Sequence, residues 1–206
     1  MTTRVAPLLA LLWIGPAAAA PRTFAIDGHA SKASARVGKT GLGSFAGHEH
    51  EVVAPAIRGE IVADLEDLPR STVDISIGAR ALKVSEQGEP HGDAPKVEQA
   101  MRGPKVLDVG RFAVIHFVSR EVQGKLTAPG SYDLLVAGDL SLHGVVKPFK
   151  VPVHLEVRGD SLTASGKMVV KQTDFGIEPT SAAGGMVRVE DEVALQFEIA
   201  ARASKP

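Results

Sequence analysis

His48 and His50 form the sharpest chemical pair in the chain. On a β-strand, residues i and i+2 project from one face, so the two imidazoles could share a metal ion, with His143, His116, His91 or Glu51 as a third ligand. The plainer reading is two polar side chains at a strand start, beside Glu49 and Glu51. His143-Gly144 offers a group that titrates near neutral pH. A structural role accounts for it more simply: the ring bonds a backbone carbonyl at a turn, and Gly144 takes a conformation that a Cβ would hinder. Lys147-Pro148 beside it reads as a rim charge able to meet an anionic head group. Asp174-Phe175-Gly176 spells the kinase D-F-G letters without a Gly-rich loop or H-R-D partner, so a strand end with Phe175 turned inward is expected instead. Asp191 and Glu192 are adjacent, which directs them to opposite faces of a strand and away from paired-acid chemistry. Ser44, Ser119 and Ser181 lack a G-x-S-x-G context, and no phosphate loop or dinucleotide fingerprint occurs. With no catalytic constellation, the expectation is a protein that is not an enzyme and needs no cofactor.

Composition narrows the classes further. The chain has 206 residues, 44% of them hydrophobic, and a formal net charge of −1. Charge this near balance argues against nucleic-acid partners, which demand a basic patch. The absence of cysteine removes disulfides, thiol catalysis and Cys-ligated metals. Aromatic residues are only 4%, so the core must be built from Val, Ile, Leu and Ala, and 21 Gly with 13 Pro punctuate many short elements.

Residues 1–20 have the order of a secretory signal peptide: Arg4, an apolar run over 5–14, then Gly15-Pro16 and four alanines. The run is too short to span a bilayer. The expectation is export to the periplasm or medium after cleavage within 17–20, leaving a domain over 21–206 that is not an integral membrane protein and is compatible with a homodimer.

The elements that must position these residues alternate with period two. Val187, Val189, Val193, Leu195, Phe197 and Ile199 share one face, against Arg188, Glu190, Glu192, Gln196 and Glu198 on the other. Phe149 to Val157, Val73 to Ala79 and Tyr132 to Leu142 alternate in the same way, and further strands are expected at 23–27, 31–38, 48–53, 57–64, 111–122 and 161–173. The break at 86–108 holds one short helix, with Asp93 as its cap, Pro95 in its first turn, Val97 and Met101 as an apolar stripe, and Gly103-Pro104 as its stop. This is an all-β, antiparallel domain of many short strands and one helix. Periodicity alone leaves a closed barrel of about eight strands and a sandwich both open.

Several segments carry a specific resemblance. They are Phe24-Ala25-Ile26-Asp27 with Ser31, Phe45-Ala46-Gly47-His48, Arg58-Gly59-Glu60-Ile61, and Leu107-Asp108-Val109-Gly110-Arg111-Phe112 leading into Ile115-His116-Phe117. Further along come Gly138-Asp139-Leu140 with His143-Gly144-Val145-Val146-Lys147-Pro148, Gln172-Thr173-Asp174-Phe175-Gly176-Ile177, and Val189-Glu190-Asp191-Glu192-Val193. In this order and spacing the chain resembles the YceI-like family of bacterial polyisoprenoid-binding proteins over about 23–202. Ala113 stands where that family usually has proline. The resemblance implies an extended, lipocalin-like antiparallel β-barrel with a long apolar tunnel for an isoprenoid chain.

The joint expectation is an exported carrier or sequestering protein whose ligand is a long apolar lipid, a polyisoprenoid or isoprenoid quinone, with the metal-binding module at His48 and His50 as the alternative. If the alternating apolar face points inward, the lining comprises Phe45, Ile75, Ile77, Phe117, Leu140, Val151, Val153, Phe175, Leu195 and Phe197. Gly78, Ala79, Gly138 and Gly166 interrupt that face and are expected to leave room inside.

Overall fold

The computed structural model describes residues 20–40, 49–87, 92–182 and 187–204. Phe45, His48, His91 and the leader lie outside them. Among the described residues the fold has twelve strands and one α-helix: β1 (Arg22–Ile26), β2 (Lys32–Thr40), β3 (His50–Ala54), β4 (Arg58–Ala63), β5 (Thr72–Gly78), β6 (Lys83–Val84), α1 (Ala94–Arg102), β7 (Val114–Ala128), β8 (Ser131–Leu142), β9 (Val145–Arg158), β10 (Ser161–Lys171), β11 (Ser181–Ala182) and β12 (Val187–Ala203). All pairings are antiparallel, and the order β1-β4-β5-β7-β8-β9-β10-β12 closes on itself through the β1–β12 pair. This eight-stranded closed barrel removes the edges that a sandwich would leave.

The remaining strands lengthen the barrel. β1 and β2 lie end to end along β12, in registers Ile26↔Ala201 and Lys32↔Glu198. β3 continues the line of β4, and β6 that of β5. The excursion over 27–31 between β1 and β2 is stitched to β12. Asp27 N donates to the Ala200 carbonyl at 2.9 Å, Ser31 Oγ donates to the Asp27 carbonyl at 2.7 Å, and the same hydroxyl accepts from Ala200 N at 3.0 Å. Both residues belong to the sequence motif that opens the domain, and their work is local backbone satisfaction.

Two stretches of wall depart from the simple ladder. β9 pairs with β10 only from Arg158 to Val153, so among the described residues 145–152 of β9 have no ladder partner on that side. Pro148 and Pro152 fall in this stretch. Pro152 O lies 2.6 Å from where a Cβ on Gly166 of β10 would sit, so the even-numbered backbone groups face β10, and proline costs no ladder bond there. The 3-10 turn Thr173–Phe175 and the following residues cover the split. The second departure follows Gly78↔Val114, where β5 and β7 part. There α1 and 103–113 close the wall, anchored by Glu98, which accepts from Val84 N at 3.2 Å, Lys83 Nζ at 3.3 Å and Arg102 Nη2 at 2.7 Å. Burial opposes ionisation of Glu98, but these donors outweigh it and hold its carboxyl below the usual range.

The helix starts where expected and ends one residue early, at Arg102, but its cap is corrected. Asp93 has helical φ and ψ and makes no side-chain cap; its carboxylate pairs with Lys96 Nζ at 3.1 Å instead. The strand expected at 111–122 begins at Val114, because 103–113 are spent covering the wall, and runs on to Ala128 through a bulge between Ser119 and Glu121. Beyond that bulge the inward face shifts by one residue, from Phe117 to Val122. Ser119 Oγ, at the edge of that bulge, accepts from Val73 N at 2.7 Å. β6 and β11, two residues each, were not expected, since a two-residue strand leaves no period to read.

Candidate functional site

The barrel encloses a cavity of about 340 Å³. Among the described residues its wall carries no charged side chain, and its polar members are Ser34, Ser71, Gln172 and Gln196. A volume in this range, lined by aliphatic groups, is that of a small-molecule site. The alternation of β5, β8, β9 and β12 produces it directly, because each strand turns every second residue inward. Phe24 and Leu162, each 1% exposed, plug the end where β1 starts, and Phe175 and Ile177 fill the space near the other end.

Ile75, Ile77, Phe117, Leu140, Val151, Val153, Leu195 and Phe197 all lie on the cavity wall. Phe175 is fully buried but stands off the wall. It stacks on Phe149 with centroids 6.0 Å apart, because the residues after β10 turn into the β9–β10 split before the ring can reach the lumen. The expectation that glycines leave room inside is corrected as well. A Cβ on Gly138 would lie 2.6 Å from Phe117 Cζ, and one on Gly166 would lie 2.6 Å from Phe197 Cζ. The space above these glycines is thus filled by the rings of two wall residues, the packing that rescues glycine in antiparallel sheets.

Alternation did not reveal several wall residues. Met101, Val106 and Leu107 come from the helix and the covering segment, and Leu65 and Leu68 from the loop after β4. Of these only Met101 carried a signal, through its spacing from Val97. The others belong to irregular segments whose inward side chains follow no period.

The polar candidates resolve into structural roles. His143 (φ +52°) and Gly144 (φ +75°) form the two-residue β8–β9 turn, whose type requires positive φ at both positions. The His143 ring bonds the Phe175 carbonyl through Nδ1 at 3.1 Å, as the turn reading expected, and meets Phe112 edge-on at 4.9 Å. His116 pairs with Asp74 at 2.8 Å, and Glu51 lies 3.7 Å from Arg36. Asp191 falls in an irregularity of β12 between Val189 and Val193, and accepts from Thr173 N at 2.9 Å and Thr173 Oγ1 at 2.7 Å. These bonds from Thr173 hold its carboxyl below the ordinary aspartate value. Among the described residues no group of three His, Cys, Asp or Glu is placed to hold a metal.

One further polar group escaped the sequence reading. Ser131 Oγ lies 3.4 Å from His154 Nε2, and His154 Nδ1 lies 2.9 Å from Asp133 Oδ1. Asp133 and His154 are directly opposed on β8 and β9, and both are largely exposed on the outer wall, so this is a cross-strand polar ladder. Among the described residues no helix is long and apolar enough to cross a membrane.

The fold agrees with those of known proteins. Among solved structures, a polyisoprenoid-binding domain from Saccharophagus degradans, implicated in plant cell wall breakdown, superposes with a TM-score of 0.64 at 14% identity, covering 88% of this chain and 98% of that one. BcnA of Burkholderia cenocepacia superposes with a TM-score of 0.62 at 19% identity, covering 82% and 95%. In sequence, a UPF0312 protein of Shewanella oneidensis is 33% identical over 95 residues, 41% of this chain and 48% of that protein. A UPF0312 protein of Shewanella putrefaciens is 25% identical over 179 residues, 83% of this chain and 85% of that protein. The YceI-like domain model matches residues 24–201, so nearly the whole barrel just described is accounted for by one family, and the chain belongs to the YceI-like domain family.

Proposed function

We propose that this protein is an exported, non-catalytic carrier of a long apolar lipid, a polyisoprenoid or isoprenoid quinone, held in the barrel cavity. The observation that carries the reading is the wall, uncharged among the described residues: a cavity of about 340 Å³ bounded mainly by aliphatic side chains suits an apolar chain far better than a polar substrate. The same wall supports the non-catalytic part, since among the described residues its polar members are two serines and two glutamines and no acid or base lines it. Withdrawing about ten CH₂ groups from water is worth roughly 8 kcal/mol before ordering costs, enough for micromolar or tighter binding. The likeness to a polyisoprenoid-binding domain supports the ligand class, and the order of residues 1–20 supports export.

The test is to purify the protein from the cell envelope, extract it with organic solvent and analyse both fractions by mass spectrometry. Near-stoichiometric isoprenoid is the expected result, with an intact protein mass short by about twenty residues, as signal-peptide cleavage requires. Protein that arrives empty and takes up no added isoprenoid overturns the reading. Ile75→Asp places an unpaired carboxylate on the wall and should abolish uptake; a folded variant that still loads would show that Ile75 does not meet the ligand.

A further inference from the structure

Six large hydrophobic side chains are exposed among the described residues, and three of them share one patch. Val114 and Val118, 53% and 37% exposed, lie on the outer face of β7, and Val146, 59% exposed, lies on the outer face of β9. β8 links the two strands across that face. Val118 is paired with Asp139 and Asp139 with Pro148, while His116 is paired with Ser141 and Ser141 with Val146. The valines and the exposed Pro148 therefore occupy adjoining rows of one convex sheet surface, at the end of the barrel where β8 turns into β9. Leu126 and Leu135 lie toward the opposite end, and Val169 stands on β10 beyond the β9–β10 split.

Charge around this patch is biased. Its carboxylates have partners: Asp74 lies 2.8 Å from His116, Asp139 pairs with Arg120, and Asp108 lies 3.6 Å from Arg111. The cations Arg80, Lys105, Lys150 and Lys167 are exposed and have no carboxylate partner among the described residues. Arg80 donates to the Val109 carbonyl at 3.0 Å, and Ala79 beside it donates to the carbonyl of Ala113, next to Val114. Lys105 belongs to the segment leading into β7, and Lys150 and Lys167 stand on the outer faces of β9 and β10, on either side of the split. Asp174 and Glu178, on the segment covering the split, are two charges against these four.

From this arrangement we infer that the outer face of β7, β8 and β9 docks on an anionic lipid bilayer, with Val114, Val118 and Val146 among the head groups and the surrounding cations on lipid phosphates. The inference rests on the lipid-carrier reading and adds where the cargo is exchanged. Apolar groups ringed by cations are stabilised twice at such a surface, by leaving water and by the negative surface potential. A protein partner is less well served, since short aliphatic side chains on a convex wall provide neither an aromatic anchor nor a pocket for one.

The test is flotation of the purified protein with vesicles of phosphatidylcholine, alone or with about 30 mol% phosphatidylglycerol. Binding to the anionic vesicles should be about ten-fold stronger than to the neutral ones and should weaken at high salt. Val114→Asp/Val146→Asp and Lys150→Glu/Lys167→Glu should each lower it about ten-fold, while Leu126→Asp, toward the far end, should leave it unchanged. The milder Val114→Ser/Val146→Ser should shift binding in the same direction. All these variants should still load isoprenoid dispersed in detergent, which reports that they are folded and separates the docking face from the cavity. Wild-type protein that loads dispersed isoprenoid but does not float with anionic vesicles overturns the inference and leaves the carrier reading standing. Binding that the patch variants retain, or that Leu126→Asp loses equally, does the same. A solution dimer dissolved by Val114→Asp/Val146→Asp would assign the patch to a second copy and overturn the inference too. Protein that neither loads isoprenoid nor floats overturns both.

Discussion

At the scale of single residues, the motifs that mark this chain act on the backbone and the wall. Gly138 lies under the Phe117 ring, Asp139 pairs with Arg120, Leu140 faces the cavity, and His143 holds the Phe175 carbonyl. Gly166 is the sharpest case of close approach, since a Cβ there would meet Phe197 Cζ and Pro152 O, both at 2.6 Å. Gly166→Ala should therefore lower stability by about 1–3 kcal/mol, read as a shift in denaturant midpoint, with Phe197→Leu relieving only the ring part of the clash. Asp191 supplies a pH test. Its folded-state pKa is depressed by the Thr173 bonds, so its stabilising effect is complete above the unfolded value of about 3.9 and is lost as pH falls through the lower folded value. Asp191→Asn should be less stable than wild type at pH 7, and the difference between the two midpoints should close as pH drops below about 4.

At the scale of elements, the two departures from the ladder decide which segments are guarded. β9 is paired with β8 along nearly its whole length, but 145–152 lack β10 on the other side. With even-numbered groups facing that side, the Val146 and Lys150 amides should exchange with solvent deuterium much faster than those of Lys147, Phe149 and Val151, which face β8. Equal protection of both sets would mean that the split is closed in solution. The prolines make the same point from sequence: at 148 and 152 they sit where a central strand would suffer from them and an unpaired edge does not. The alternation over 149–157 nevertheless reads as a regular strand. That 172–177 would cover this edge was not legible, because this contact depends on a turn at Gly176 (φ +70°) and on His143, 32 residues away.

At the scale of the whole molecule, closure and hollowness act together. An eight-stranded barrel can be filled by its own side chains or can hold one small ligand, and here only 4% of the chain is aromatic, so aliphatic side chains leave about 340 Å³ open. A ligand that fills such a space binds the folded state alone and raises its stability by mass action. Loaded protein should melt at a higher temperature than delipidated protein, and adding isoprenoid back should restore the difference in a concentration-dependent way, by about 2.7 kcal/mol at a hundred times Kd. Identical melting curves would mean that the cavity gains nothing from occupancy.

The sequence by itself determined most of the long strands, the single helix and which side chains of β5, β8, β9 and β12 share one face, because those follow from local periodicity and turn chemistry. It thereby placed Ile75, Ile77, Leu140, Val151, Val153, Leu195 and Phe197 on one inner surface. Only the tertiary structure decided that the surface closes as a barrel, since closure depends on β1 meeting β12 across nearly the whole length of the chain. It alone turned Phe175 away from the cavity toward Phe149, and it alone drew Met101, Val106 and Leu107 into the wall. Contacts between irregular segments and distant strands obey no local period, so they are fixed by which surfaces remain to be covered once the regular ladder has formed.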